Sequence, residues 1–201
     1  MEPRHPYEQI PLFYGGLVLA AWLIVTHALM LFKPAASQAF LKSFPRHAAL
    51  GQILLGLGLG WFWLLIAPES WGTLGALALD LGEFSGAKPL LRILVPVTLV
   101  LVVMSVRDFL SVRALGLLGL LAASPLLESA FQKDPVSRLL IPIYAYAMLT
   151  ACMFFVGMPY LFRDAVDWVC AKPGRWKALS AAGLVYGIVT LACAFTLWLN
   201  Y

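Results

Sequence analysis

The stretch VRDFLSVR, residues 106–113, separates two apolar runs of the chain and decides how the rest is divided. The runs at residues 93–106 and 114–127 carry no charge, whereas this stretch holds two arginines and one aspartate. A helix over residues 93–106 would be about 21 Å long at roughly 1.5 Å per residue, and the hydrocarbon core of a bilayer is about 30 Å thick. Either the flanking residues complete the two spans, or this helical hairpin stops short of the far interface.

The whole chain has the composition of a protein that crosses a membrane. Of its 201 residues, 62% are hydrophobic and 12% are charged, and the mean hydropathy is +0.87. In a soluble domain about a quarter of the residues are charged, roughly twice the fraction found here. The low fraction of charged residues indicates that much of the protein surface contacts lipid. The net charge of +4 at pH 7 comes from basic residues beside apolar runs. That placement is typical of membrane orientation signals, and we expect no nucleic-acid partner.

The apolar runs predict the fold class. We expect an all-α integral membrane protein, a single domain over residues 1–201, with about six transmembrane helices arranged as three helical hairpins. The predicted spans are residues 12–32, 48–67, 90–106, 110–127, 139–162 and 178–199. Residues 69–89 are too short and too acidic for another span. They are predicted to lie in the interface, or to re-enter the bundle where protein covers their backbone.

Lys and Arg are more frequent in the connectors on one side of the predicted bundle. With the N terminus outside the cytoplasm, the cytoplasmic connectors are residues 33–47, 107–113 and 163–177, and they hold most of the Lys and Arg. Cytoplasmic connectors of membrane proteins carry an excess of these residues. The sequence therefore predicts a multi-pass protein of the bacterial inner (plasma) membrane, with both termini on the non-cytoplasmic side.

Two glycine pairs have the GxxxG spacing inside predicted spans. Gly56 and Gly60 lie in the second span, and Gly183 and Gly187 lie in the sixth. Small residues at this spacing let two helix backbones approach closely in a membrane. We expect these faces to contact other membrane protein subunits or a second copy of the chain, with the lipid bilayer covering the rest.

His27 is the ionisable residue that the predicted spans place most clearly at membrane depth. Its helical neighbours Leu23, Ile24, Met30 and Leu31 are all apolar. A histidine in this position would ligate a haem iron, hydrogen-bond a quinone carbonyl or relay protons. The alternative, which we favour, is a neutral histidine hydrogen-bonded to a backbone group or to a Thr or Ser hydroxyl of a neighbouring helix.

Charged residues recur at one predicted interface, as Arg107, Asp108 and Arg113 and again as Arg163 and Asp164. A carboxylate between guanidinium groups stays ionised, so Asp108 is poorly suited to act as a general acid. We interpret these residues as an ion network that fixes the depth of the hairpin. The alternative is a site that binds an anionic lipid headgroup or a partner subunit.

The sequence motifs of common enzymes and metal sites are absent from the chain. It has no GxSxG, no P-loop and no GxGxxG ahead of a helix, and Cys152, Cys170 and Cys193 have no CxxC spacing. We therefore predict no catalytic residue, no metal site and no cofactor, and a non-catalytic accessory or scaffold subunit of a larger membrane complex. The alternatives are a small transporter or channel, and a membrane redox subunit that binds haem or quinone near His27.

Overall fold

The computed structural model describes residues 5–72, 74–105 and 109–201, which form eight α-helices and no strand. In chain order these are α1 (Leu12–Phe32), α2 (Pro34–Ser43), α3 (Ala48–Leu65), α4 (Lys88–Ser105), α5 (Leu110–Ala130), α6 (Leu140–Gly157), α7 (Tyr160–Cys170) and α8 (Pro173–Leu197). Within the described ranges, all except α2 and α7 are long and apolar enough to cross a membrane. The predicted all-α class with about six membrane-spanning helices is confirmed.

The two helices beside the VRDFLSVR stretch are long enough to span. With the 3₁₀ turn that precedes it, the segment containing α4 covers Gly82–Ser105, 24 residues, and α5 has 21 residues. The flanking residues thus complete both spans. α5 passes through Pro125 and ends later than the predicted residue 127. Its last turn has tertiary support, because Ser129 and Ala130 are fully or almost fully buried.

Two short helices replace segments that the sequence predicted as a connector and as the end of a span. α2 lies in the predicted connector 33–47, and α6 ends at Gly157 although the apolar run continues to residue 162. A proline causes each break, because the residue before a proline avoids helical geometry. Met158, before Pro159, has φ −130° and ψ 68°. α2 and α7 contact each other, so they lie at the same end of the bundle, here called the α2–α7 end.

Three helix interfaces hold most of the bundle together. α1 lies antiparallel to α8, α5 lies antiparallel to α6, and α3 lies parallel to α5. α4 stands at the edge against α3, and of its described residues Val95 alone is buried. The extensive contacts therefore join different helices from those that the predicted hairpins pair. Lipid covers an apolar helix face as well as protein does, so pairing depends on close packing and not on chain order.

The interface of α1 with α8 depends on small side chains in α8. Its buried residues lie three, four or seven positions apart, which places them on one stripe of the helix: Trp176, Ser180, Gly187, Thr190 and Ala194. A Cβ on Gly187 would lie 2.9 Å from the Leu23 Cβ and 3.1 Å from the Ile24 backbone nitrogen. The two backbones are therefore as close as these positions allow.

Gln132 offers a simple test of the loop between α5 and α6. Its φ is +52°, in the left-handed region, and its side chain is exposed. A residue with a Cβ pays roughly 1–2 kcal/mol for this geometry, whereas glycine does not. We expect Gln132→Gly to raise the free energy of unfolding by about 1 kcal/mol, measured by denaturation in detergent micelles. Gly86→Ala, in an open 3₁₀ turn without a positive φ, is the control and should change stability little.

Candidate functional site

His27 lies in the interface between α1 and α8, with its ring directly against Gly183. Its Nδ1 is 2.9 Å from the Leu23 carbonyl oxygen and 3.2 Å from the Thr26 hydroxyl. The Thr26 hydroxyl in turn donates to the Trp22 carbonyl at 2.7 Å. The histidine is therefore bonded within its own helix. The backbone carbonyl agrees with our expectation, whereas the hydroxyl belongs to the same helix and not to a neighbouring one.

The contact of His27 with α8 is made by the face of its ring. A Cβ built on Gly183 would be almost equally close to Nε2, Cδ2 and Cε1, which places it above the ring and not along its edge, and even a methyl group would collide there. With Nδ1 as the donor to Leu23, Nε2 holds the lone pair that a haem iron or a proton donor would need. The contact with Gly183 is made with the face of the ring and not along this lone pair, and the His27 side chain is only half-buried.

The charged residues of the predicted ion network are only partly brought together. Arg107 and Asp108 lie outside the described residues. Arg163 pairs with its own neighbour Asp164, with 2.8 Å between Nη2 and Oδ1, and both side chains are about half exposed. Arg113 is exposed in the first turn of α5. An exposed pair of adjacent residues contributes at most about 1 kcal/mol, so this pair does not clamp two helices together.

The apolar half of the VRDFLSVR stretch forms the attachment point at the α2–α7 end. Val112 is fully buried against Phe44 and Phe162, whose ring centroids are 5.6 Å apart. The Ser111 hydroxyl donates to the Phe44 carbonyl oxygen. These contacts attach the turn before α3 and Phe162 of α7 to the start of α5. Sequence reasoning concentrated on the charges of the stretch and missed Ser111 and Val112, although a short Leu-Ser-Val run after a charged turn is the available signal.

The opposite end of the bundle holds residues 66–87, here called the connector. Its first residue, Ile66, accepts a hydrogen bond from the Arg92 Nε of α4 at 2.7 Å, and the Trp63 Nε1 of α3 donates to the Arg92 carbonyl at 3.1 Å, so α3 and α4 are joined where the connector begins. Asp80 accepts hydrogen bonds from the Ser85 hydroxyl and the Gly82 N–H, and these bonds lower the pKa of its carboxyl group. Asp80 is thus occupied in shaping the turn.

An open groove runs along the second half of α3 on its outer side, from Gly56 to Leu64, and we call it the α3 groove. Its volume is about 650 Å³, and it is lined by Gly56, Leu57, Gly60, Trp61, Trp63, Leu64 and, from α5, Leu118. A Cβ added at Gly56 or at Gly60 would find no atom within 4 Å. The floor of the groove is therefore helix backbone without a side chain of this chain on it.

The second glycine pair is in a different situation. Gly183 lies under His27, and Gly187 lies under Leu23 and Ile24, so α1 of the same chain occupies this face. Of the two faces that the sequence singled out for a partner, the one at Gly56 and Gly60 is open.

Comparison with known proteins adds no family to these observations. No family model matches the chain, and no curated protein and no solved structure is detectably similar to it. Among the residues that the structure describes, no group of three or more His, Cys, Asp or Glu side chains is placed to hold a metal ion. The α3 groove is consequently the candidate site that the geometry defines best.

Proposed function

We propose that the chain is a non-catalytic subunit of a larger membrane assembly, and that it receives a transmembrane helix of a partner in the α3 groove. The observation that carries the proposal is the open backbone at Gly56 and Gly60. In lipid, the burial of apolar side chains contributes little to helix association. The close packing of two helix backbones at small residues favours it. An exposed glycine pair in mid-span is therefore more informative than exposed leucines.

The other glycines of the spans supply the comparison. Away from helix ends, every described glycine of the spanning helices except Gly56 and Gly60 has an atom of a second helix within 4 Å of where a Cβ would lie; these are Gly15, Gly16, Gly51, Gly58, Gly116, Gly119, Gly183 and Gly187. This chain thus uses glycine inside its spans where another helix comes close. Because no helix of this chain lies against Gly56 and Gly60, we infer that a helix of another chain packs there.

The position of the groove also suits an incoming helix. α4 covers one side of α3, and Leu118 of α5 borders the groove on another side. The indoles of Trp61 and Trp63 stand at the connector end of the groove, where they would flank a partner's helix end. The groove therefore has a backbone floor, a wall formed by Leu118 and an aromatic rim at one end.

The proposal includes an orientation. The basic residues described at the α2–α7 end are Lys33, Lys42, Arg46, Arg113, Arg163, Lys172, Arg175 and Lys177, and the acidic ones are Asp164 and Asp167. We propose that this end faces the cytoplasm of a bacterial cell, because cytoplasmic segments carry the excess of Lys and Arg.

The double variant Gly56→Leu/Gly60→Leu tests the docking function. Both side chains have room on the isolated chain, so the variant should fold, but they fill the groove. We expect co-purified partner, quantified by mass spectrometry after extraction in mild detergent, to fall at least about tenfold, which corresponds to a loss of about 1.4 kcal/mol.

Gly157→Leu is the matched control for that experiment. Gly157 ends α6, and a Cβ there also meets nothing within 4 Å. This variant should retain the partner at the wild-type level. Equal recovery of partner with the groove variant, or a wild-type chain that leaves the native membrane as a lone monomer, would show that the groove is not a docking site.

A further inference from the structure

The α2–α7 end carries two short helices whose length and surfaces suit a membrane interface. With 10 and 11 residues they reach about 15–17 Å, roughly half the thickness of the hydrocarbon core. α7 turns Phe162 into the bundle and exposes Arg163, Asp164 and Asp167 on its other side. Helices of this kind lie in the plane of the interface, with the apolar side inward and the charged side toward the headgroups.

Basic side chains of separate segments gather where α2 meets α7. Lys42 lies in the last turn of α2, and Lys172 follows α7 directly. α2 contacts α7, which brings the last turn of α2 with Lys42 near the end of α7 at Cys170. Burial raises the pKa of the Cys170 thiol, and the Lys42 ammonium opposes that rise. The Arg175 guanidinium lies 4.1 Å above the Trp168 ring and donates to the Trp168 carbonyl at 3.1 Å, so it is held in place.

The charges of this end are unbalanced within the described chain. α3 and α8 begin here, and a helix N terminus carries about half a positive charge from its peptide dipoles. His47 and Lys172 are the N-cap residues, and neither helix has an acidic residue in its first turn. The C termini of α2 and α7 meet the same region and favour Lys42 and Lys172, so the positive excess of this end comes from its basic side chains, which outnumber Asp164 and Asp167.

We propose that this basic surface, formed by Lys42, Arg46, Lys172, Arg175 and Lys177, binds the phosphate groups of anionic phospholipids in the leaflet that it meets. Exposed aromatic side chains lie on the same two helices, with Phe40 51% and Trp168 56% exposed. Aromatic rings beside cations insert at the level of the headgroups, and that combination favours a lipid surface over a dissolved anion or an acidic protein segment.

The test compares the full chain with a variant that lacks three of the charges, Lys42→Gln/Lys172→Gln/Lys177→Gln. Thermal unfolding is followed by tryptophan fluorescence in mild detergent, with short-chain phosphatidylglycerol or phosphatidylcholine added. We expect phosphatidylglycerol to raise the Tm of the wild type more than phosphatidylcholine does. The variant should need at least about tenfold more phosphatidylglycerol for half of that rise, since each basic residue near an anionic surface contributes about 1 kcal/mol.

Two further variants separate lipid recognition from folding. Lys88→Gln/Lys133→Gln/Arg138→Gln removes cations from the other end and should respond to phosphatidylglycerol as the wild type does. Lys42→Arg/Lys172→Arg/Lys177→Arg keeps the charges and should retain the full rise even where the glutamine variant is less stable in phosphatidylcholine. A rise unchanged in the glutamine variant, or lost equally in the control at the other end, overturns the proposal.

The source of the anion is decided by two added arms of the same experiment. Inorganic phosphate and a polyglutamate peptide are titrated in place of lipid. Neither should reproduce the rise given by phosphatidylglycerol. A matching rise with phosphate, or with the peptide, overturns the assignment to phospholipid. The groove variant Gly56→Leu/Gly60→Leu should keep its full lipid response, because the groove lies in the half of α3 that is farther from the α2–α7 end, so the outcome here is independent of the docking result.

Discussion

Trp198→Ala should lower the free energy of unfolding by about 3–5 kcal/mol, the largest loss that we expect from a single substitution in this chain. The Trp198 side chain is fully buried, and its ring lies directly on Gly16 of α1. Its Nε1 donates to the Ser137 hydroxyl at 2.9 Å, which ties the end of α8 to the turn before α6. Replacement by alanine leaves a cavity where three segments meet.

The measurement is reversible unfolding in mixed detergent micelles, followed by circular dichroism. Trp198→Phe separates the two contributions, because it retains most of the ring over Gly16 but leaves the Ser137 hydroxyl without its donor. That variant should lose about 1–2 kcal/mol. Trp168→Ala removes an indole that is 56% exposed and should cost less than about 1 kcal/mol. A similar loss at both tryptophans would contradict the packing described here.

Gly51→Ala should be the second most damaging change, with a loss of about 1–3 kcal/mol. A Cβ on Gly51 would lie 2.7 Å from the Ser111 backbone nitrogen and 3.1 Å from the Leu110 carbonyl carbon. Backbone atoms cannot rotate away as a side chain would, so α3 must move off α5. Since α3 also carries α4, the shift weakens the attachment of that edge helix as well.

Gly56→Ala is the matched control for this substitution, on the same helix and of the same chemistry. Nothing lies within 4 Å of the added methyl group. Because alanine favours a helix over glycine by up to about 1 kcal/mol, Gly56→Ala should leave stability unchanged or slightly raised. Thermal unfolding of both purified variants checks the contrast. Equal losses would mean that the backbone contact of α3 with α5 is looser than described.

The spans could be predicted because length and composition are local properties of the sequence. Which helices pack against each other could not be predicted. The length and composition of residues 12–32 alone predict a membrane-spanning helix. Which helix lies beside it depends on shape, and the apolar faces toward lipid and toward protein look alike in sequence. The stripe of Ser180, Gly187, Thr190 and Ala194 was the available sign that α8 has a close partner, but it did not identify α1.

The short helices show a second limit of the sequence pattern. α7 was concealed because its first residues continue the apolar run of α6, so composition alone did not show the break at Pro159. Its apolar residues Phe162, Val166 and Val169 have helical spacing, which was the overlooked signal. α2 has too few apolar residues for that spacing to be seen, and only its contacts with α7 and α1 reveal it.

The glycine pair of the α3 groove could be predicted from the sequence, but its open position in the bundle could not. Sequence reasoning singled out Gly56 with Gly60 and Gly183 with Gly187 as equivalent motifs, because spacing is all that a sequence offers. The structure separates them: one pair is filled by α1, and the other is open. That difference arises from the packing of helices far apart in sequence, and no local pattern encodes it.

The pairing of α1 with α8 has a consequence for biosynthesis. α1 is made before α8, and the residues that cover Gly16 and Leu23 lie in α8 or directly after it. At roughly 5–20 residues per second, α1 waits about 10–30 s in the membrane before its partner emerges. During that interval its glycine face is open to any other helix nearby. We therefore expect a nascent chain halted before α8 to require an insertase or a membrane chaperone, and to be degraded quickly when neither holds it.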